Sequence, residues 1–415
     1  MEEATENMRM DSHLPSRFPK DKIMLRVGII GYGRRVSHMA KALAMWDIPY
    51  QVTAVADLRA AEIKAESDEF LAAARFYPSA DELLAAEANQ LDGIMIGTRC
   101  LLHTEMACKV APTGLPLFLE KPVAITFDQV QQLADAYAHY AAPTVVSFPL
   151  RLSPVLQKVK EIVDSGQIGT VENLVAWCNV PYGSGYFRGW HRNFDQNGGL
   201  FLQKATHDLD YVNYLLGQKP AWISALNAQR VYGGDMPFDL QCKDCDLKES
   251  CTESPFVRFR TGFETETVRY PDRGGYCVFS KGIKTEDMGS CLIEYEHGPQ
   301  VSYTQNFFTR YKASQRGARL YGYKGTIEFD WYRNEVKLYS HTSPTVDTIE
   351  FSGNMPHFGG DRELCYDFLM AMRDRKPTRS SIDDGILSAL TCLWAREAAD
   401  SKQACRVVMP SAVTA

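Results

Sequence analysis

Leu25-Arg26-Val27-Gly28-Ile29-Ile30-Gly31-Tyr32-Gly33 is the stretch that decides the fold. The apolar run reads as a buried strand, and it ends in a Gly-x-Gly turn leading into a helix that begins near Arg34. The first glycine permits the tight turn, and the second lets the main chain approach a pyrophosphate. The helix N-terminus presents unpaired N–H groups and the positive end of its dipole to an anion. A second strand, 51–56, follows one helix later and ends in Asp57, where a carboxylate meets the ribose hydroxyls of an adenosine. Val36 stands where a third glycine is usual, so helix and strand must pack differently there. Together these residues predict a dinucleotide-binding turn.

Outward from that turn, short apolar strands alternate with helical stretches. Strands are expected at 25–30, 51–56, 93–96, 117–119 and 144–148. Helices are expected from Arg34 to about Trp46, at 59–74, 81–88, from Leu102, and at 127–140. This alternation predicts a Rossmann parallel sheet covered on both faces, spanning 24–149. A linking helix at 154–164 opens a second domain, 150–415, which becomes rich in strands: 171–180, 222–230, 290–295, 301–308, 319–323, 326–330 and 336–340. Glu296-His297-Gly298-Pro299 reads as a hairpin turn, and one helix, 201–216, ends at Gly217. Helices at 361–373 and 383–400 close the chain. The fold class is α/β, with an open, largely antiparallel second sheet.

The chain has 415 residues, 45% apolar and 23% charged, with a formal charge of −6. That length suits two domains, and the charge leaves no basic face for nucleic acid or an anionic membrane. No apolar run is long enough to span a bilayer. Residues 1–23 read as a disordered leader without a signal core. Eleven scattered cysteines fit reduced thiols and a cytoplasmic location.

The strand 117–119 runs into Glu120-Lys121-Pro122. Ligands bind at the carboxyl ends of strands in an open parallel sheet, so a lysine there can hydrogen-bond a hydroxyl and favour its ionisation, with Glu120 tuning its charge. Further on, Gly198-Gly199 precedes His207-Asp208-Leu209-Asp210. The glycine turn, Asp57, Glu120-Lys121-Pro122 and this last segment resemble the Gfo/Idh/MocA family over nearly the whole chain. The resemblance implies NAD, with NADP not excluded, bound between the domains, and carbohydrate or cyclitol substrates. It assigns catalysis to Lys121 and His207. The cofactor is expected to contact Gly31, Tyr32, Gly33, Arg34, Arg35, Asp57, Thr98, His103, Glu120 and Lys121.

One departure stands out. Many dehydrogenases of the family carry an aspartate four residues before the histidine, where this chain has Gln203, followed by Lys204. A neutral amide cannot take a proton. On one continuous helix Gln203, Lys204, His207 and Asp210 share a face, so two lysines would look into the site and grip an anionic substrate group. Arg151 and the segment with Arg188, Trp190, His191 and Arg192 are expected beside them, aromatic faces meeting sugar C–H groups and arginines meeting an anion. Cys242, Cys245 and Cys251, with Cys277 as a distant fourth, sit in an insertion at about 232–286 and fit either a structural zinc, reduced thiols or a local disulfide.

Two activities are open on this reading. One is hydride transfer between NAD(P) and a hydroxyl of a sugar, sugar acid or cyclitol. The other is a redox-neutral NAD-dependent glycoside hydrolysis of an acidic glycoside such as a uronide or sulfonated sugar. A homodimer or homotetramer is expected, because the second sheet has too few helices to cover both faces; aromatic residues at Tyr303, Phe307, Phe329 and Trp331 are assigned to the free face.

Overall fold

The computed structural model describes residues 24–140, 142–260, 275–353 and 356–410; the leader at 1–23 and part of the insertion lie outside them. Six parallel strands form the first sheet: β1 (Leu25–Ile30), β2 (Tyr50–Ala56), β3 (Arg75–Tyr77), β4 (Gly93–Ile96), β5 (Leu117–Leu119) and β6 (Thr144–Val146), in the order β3-β2-β1-β4-β5-β6. β4 and β5 are buried along their whole lengths, which explains their unbroken apolar sequences. The single helix expected at 59–74 is instead Ala60–Ala65 followed by the 3₁₀ turn Glu69–Leu71. β3, which the sequence reading lacked, follows them at the sheet edge, where three half-exposed residues carry little apolar signal.

The second sheet has nine strands. They are β7 (Val171–Asn179), β8 (Pro220–Ala228), β9 (Met288–Tyr295), β10 (Gln300–Asn306), β11 (Gln315–Gly322), β12 (Gly325–Asp330), β13 (Glu335–Ser340), β14 (Val346–Glu350) and β15 (Cys405–Arg406). The order is β14-β13-β12-β11-β7-β10-β9-β8-β15, and β7–β10 is its parallel pair. Burial alternates along β9 residue by residue, the signature of a sheet with one covered face. Tyr303, Phe307, Phe329 and Trp331 are fully buried on the covered side, contrary to the sequence expectation. Trp331 makes edge-to-face contacts with Tyr211 and Phe329. The opposite side instead carries Trp222, Leu226, Met288 and Leu292, of which Leu226 is 67% and Leu292 64% exposed.

The closing helix Gly360–Asp374 returns to the first sheet. Its Leu364, Cys365, Phe368 and Leu369 share a core with Val27, Ile29, Met95, Phe118 and Val145. Phe368 meets Phe118 edge-on at 5.8 Å, and a Cβ on Gly93 would run into Met372. The helix Ile382–Ser401 packs on β8 and on the helix Phe127–His139, so the chain ends by tying the two sheets together.

Candidate active site

The turn after β1 is built as its glycines require. Gly31 has φ +79°, and a Cβ there would lie 2.8 Å from the Thr98 nitrogen, a conformation and a contact open to glycine. Gly33 caps the helix Arg34–Ala42. Val36 is accommodated by Gly97, since a Cβ on Gly97 would fall 2.4 Å from the Val36 Cβ. The glycine expected in the helix has in effect moved to the neighbouring strand end. Asp57 Oδ2 accepts from the Tyr32 N–H at 2.9 Å and Oδ1 from the Arg59 N–H at 2.9 Å, which pins the end of β2 to the turn.

This turn opens one end of a cleft of about 1060 Å³, lined there by Tyr32, Gly33, Arg34, Ser37, Lys41, Arg59 and Thr98. A cleft of that size, a turn with two glycines and a helix N-terminus are what a dinucleotide needs. The residues present therefore fit the cofactor that the motif implies, with Asp57 supporting the turn from behind.

Arg35 has a different task. Its guanidinium is gripped by both Asp361 oxygens at 2.6 and 2.7 Å, by Glu120 at 3.2 Å and by Ser147 at 3.3 Å. Asp361 also accepts from His357 Nδ1 at 2.9 Å. The expected nucleotide cation is thus a tie between the first domain and the returning C-terminal segment. His357 and Phe358 hold consecutive left-handed backbone angles, φ 45° and 55°, a costly conformation for such residues, and His357 reaches the cleft.

Lys121, at the end of β5, donates from Nζ to the Gln203 carbonyl at 2.7 Å. Burial, helped by the Lys204 and Arg35 charges against the pull of Glu120, lowers its pKa to about 8. His103 is buried behind it, with Nδ1 2.8 Å from the Pro122 carbonyl and Nε2 3.1 Å from that of Thr98. It therefore braces the Thr98 turn against the Glu120-Lys121-Pro122 strand end. Cys100 Sγ donates to Gln203 Oε1 at 3.3 Å.

The helix expected at 201–216 is broken into Leu200–Gln203 and Thr206–Leu216. Glu286, far away in sequence, accepts from the Leu200 and Phe201 N–H groups at 2.7 and 2.8 Å and caps the first piece. Gly199, at φ +89°, leaves room for that carboxylate. Lys204 and His207 line the cleft, and Asp210 does not. His207 is buried, its Nδ1 has no hydrogen-bond partner, and burial together with the Lys121 and Arg316 charges holds it neutral, its pKa well below 6.5. Lys204 Nζ donates to Tyr182 Oη at 2.8 Å.

Trp190 and His191 line the same end as a stacked pair at 4.0 Å, with the Arg99 guanidinium 4.2 Å over the indole. Burial and the nearby Lys121 and Arg99 charges lower His191 to about 3. Three expected substrate arginines are elsewhere. Arg151 is buried in ion pairs with Asp210 and Asp384. Arg188 pairs with Glu253 at 3.6 Å, and Arg192 lies 4.3 Å over the Phe238 ring. Arg151 and Asp210 close a pair within the core, so neither serves the cleft. In place of those arginines the fold delivers Arg316 from β11, a residue that local sequence gave no reason to single out.

The described part of the cysteine insertion gives no metal site. Cys242, Cys245, Cys251 and Cys277 are free thiols, and among the described residues no three His, Cys, Asp or Glu side chains are grouped to hold a metal ion. Burial pushes the Cys242 thiol up to about 11. Among the described residues no helix is long and apolar enough to cross a membrane.

Comparison with known proteins agrees with this architecture. Residues 25–148 match the oxidoreductase family with an NAD-binding Rossmann fold, and residues 156–328 match the GFO/IDH/MocA C-terminal domain. YteT of Bacillus subtilis (strain 168) is 26% identical over 77% of this chain and 82% of its own length. Inositol 2-dehydrogenase of Rhizobium meliloti (strain 1021) is 27% identical over 49% of this chain and 58% of its own. Levoglucosan dehydrogenase, solved with NADH and levoglucosan, superposes with a TM-score of 0.74 at 17% identity, covering 93% of this chain and all of that one. With both of its domains matched in order, and the glycine turn and the lysine at the end of β5 in place, the chain belongs to the GFO/IDH/MocA family of NAD-binding oxidoreductases.

Proposed function

We propose that this protein is an NAD-dependent dehydrogenase acting on a hydroxyl of a sugar, sugar acid or cyclitol. The observation that carries the reading is Lys121: a half-buried amine with a pKa near 8, in the cleft between the turn for the dinucleotide and the second domain. Bound NAD supplies the hydride acceptor. Lys121 takes the proton of the substrate hydroxyl as the uncharged amine, held in place by the Gln203 carbonyl and by the His103 brace behind Pro122. His207, neutral and with a free Nδ1, offers the same hydroxyl a hydrogen bond. Gln203 replaces the aspartate of many relatives, so no carboxylate joins this pair, and the proton leaves through Lys121. Incubation with NAD+ and a panel of sugars, cyclitols and aryl glycosides, following NADH absorbance and aglycone release together, tests the assignment. Net NADH is expected; aglycone without net NADH would replace this reading with the redox-neutral hydrolase.

NAD is expected to bind at least about 10-fold more tightly than NADP, a difference of ~1.4 kcal/mol. The negative charge of Asp57, held at the turn by the Tyr32 and Arg59 N–H groups, opposes a 2′-phosphate at that end of the cleft, and Arg35, committed to Asp361, does not compensate. Parallel fluorescence titrations decide this; tighter NADP binding, lost on Arg59→Ala, would reverse it.

The uncovered side of the second sheet is proposed to be closed by a second copy of the chain. Trp222, Leu226, Met288 and Leu292 form an exposed apolar group on adjacent strands β8 and β9, the kind of surface that marks an interaction site. Sedimentation at micromolar concentration is expected to give a dimer or tetramer, and Leu226→Lys with Leu292→Lys a monomer. A monomeric wild type would remove the proposal.

A further inference from the structure

The inner end of the cleft concentrates positive charge. Lys121, Lys204 and Arg316 line it together with His207, Tyr182 and Tyr186. The carboxylates along the cleft are Glu66, Asp68 and Glu120; Asp68 is held by Lys41 at 2.9 Å on the nucleotide side, and Glu120 by Arg35. Lys204 is 3% exposed, and among the described residues no ion pair reaches it. Burial and the Arg316 charge press against its ionisation, and the Tyr182 and Tyr186 oxygens act in the other direction.

Arg316 is equally buried, at 3% exposed. Its Nε donates to Asp208 Oδ1 at 2.8 Å, while Nη2 is buried without a hydrogen-bond partner. Asp208 also accepts from Tyr303 Oη at 3.1 Å, which fixes the carboxylate and through it the plane of the guanidinium. An orphaned guanidinium N–H beside an uncompensated ammonium is costly in a buried site unless an anion arrives there. A planar fork and a point charge side by side match the two oxygens of a carboxylate.

We propose that Arg316 and Lys204 form an anion subsite, and that the substrate is a polyol or sugar carrying a carboxylate that binds there while its reacting hydroxyl meets Lys121. This rests on the dehydrogenase reading and narrows its substrate class. In the oxidation, the carbinol C–H pair leaves as hydride to NAD+, the O–H proton goes to Lys121, and a keto acid and NADH result; the carboxylate is unchanged. Arg316 and Lys204 are then specificity residues, acting on binding and orientation.

The test uses the full-length protein with NAD+ and matched pairs: D-glucuronate with D-glucose, D-galacturonate with D-galactose, and D-gluconate with D-glucitol. Each is assayed for kcat/KM, and each acid is titrated calorimetrically into the NADH-loaded protein. At least one acid is expected to exceed its neutral partner by about 100-fold in kcat/KM. Lys204→Gln is expected to remove most of that ratio, chiefly by raising KM, while NADH affinity stays within about threefold. The matching sulfonated and phosphorylated sugars form a third arm.

Oxidation of the neutral partners as efficient as that of every acid overturns the subsite while leaving the dehydrogenase reading standing. A sulfonate or phosphate preferred more than tenfold over the carboxylate overturns the assignment of the group. If no compound is oxidised, the dehydrogenase reading fails, and acid binding to the NADH complex still decides the subsite: binding abolished by Lys204→Gln supports it, and no binding to wild type overturns it. Should Lys204→Gln not fold, Tyr182→Phe, which removes the Lys204 partner, and the wild-type acid-to-neutral ratio decide instead.

Discussion

Lys121→Ala is expected to lower kcat/KM by about 10³-fold, the size of losing one positioned acid–base group, while NADH affinity changes less than about threefold. The nucleotide is held by the turn at Gly31 and by the helix Arg34–Ala42, neither of which depends on the lysine. The pH profile separates this from a general packing defect. With a pKa near 8, the uncharged amine needed for alcohol oxidation increases as pH rises through about 8, so the oxidation rate should climb across that interval. The reverse reduction needs the ammonium and should fall over the same interval. Lys121→Ala should lose that inflection in both directions. Turnover near the wild-type level, or an unchanged inflection, would show that another group moves the proton.

Arg35→Met is expected to destabilise the fold by about 3 kcal/mol, as breaking a buried ion pair by removing one partner does. The substitution strands Asp361 and Glu120 and cuts the tie that holds the segment from His357 onward to the first domain. Burial disfavours the Asp361 carboxylate, but its hydrogen bonds from Arg35 and His357 outweigh that and hold its pKa below the ordinary carboxylate value. A depressed pKa contributes stability above the unfolded value of about 4 and loses it as acid protonates the group. The difference between wild type and Arg35→Met should therefore be full at neutral pH and shrink below about pH 4. Denaturant unfolding at pH 7 and pH 3 reads it. Equal stability at pH 7 would mean that Arg35 is free for the nucleotide.

Local chemistry carries the first domain: the apolar strand, Gly31 and Gly33, Asp57 at the next strand end and Lys121 after β5 are each read from neighbours within a few residues. The linking helix is another such case, since Ser153 caps Pro154–Asp164 at the bounds its sequence predicts. What sequence determines well is what a residue's near neighbours dictate: strand period, the turn that glycine permits, the cap that serine supplies.

The tertiary structure decided the rest. Val36 is harmless because Gly97 lies opposite it, and the short helix before His207 is capped by Glu286 from the far side of the insertion. Arg35 points to Asp361, 326 residues away. Arg151, Arg188 and Arg192 are cations of the right kind in the right region of sequence, yet each is spent on a carboxylate or an aromatic face outside the cleft. Arg316, with no motif around it, is the arginine placed beside Lys204. A charge declares its sign in sequence, but its partner is chosen by packing between segments hundreds of residues apart. In this protein, residue types and local elements follow from sequence, and which cations face the substrate follows from how the two sheets and the returning C-terminal helix close on one another.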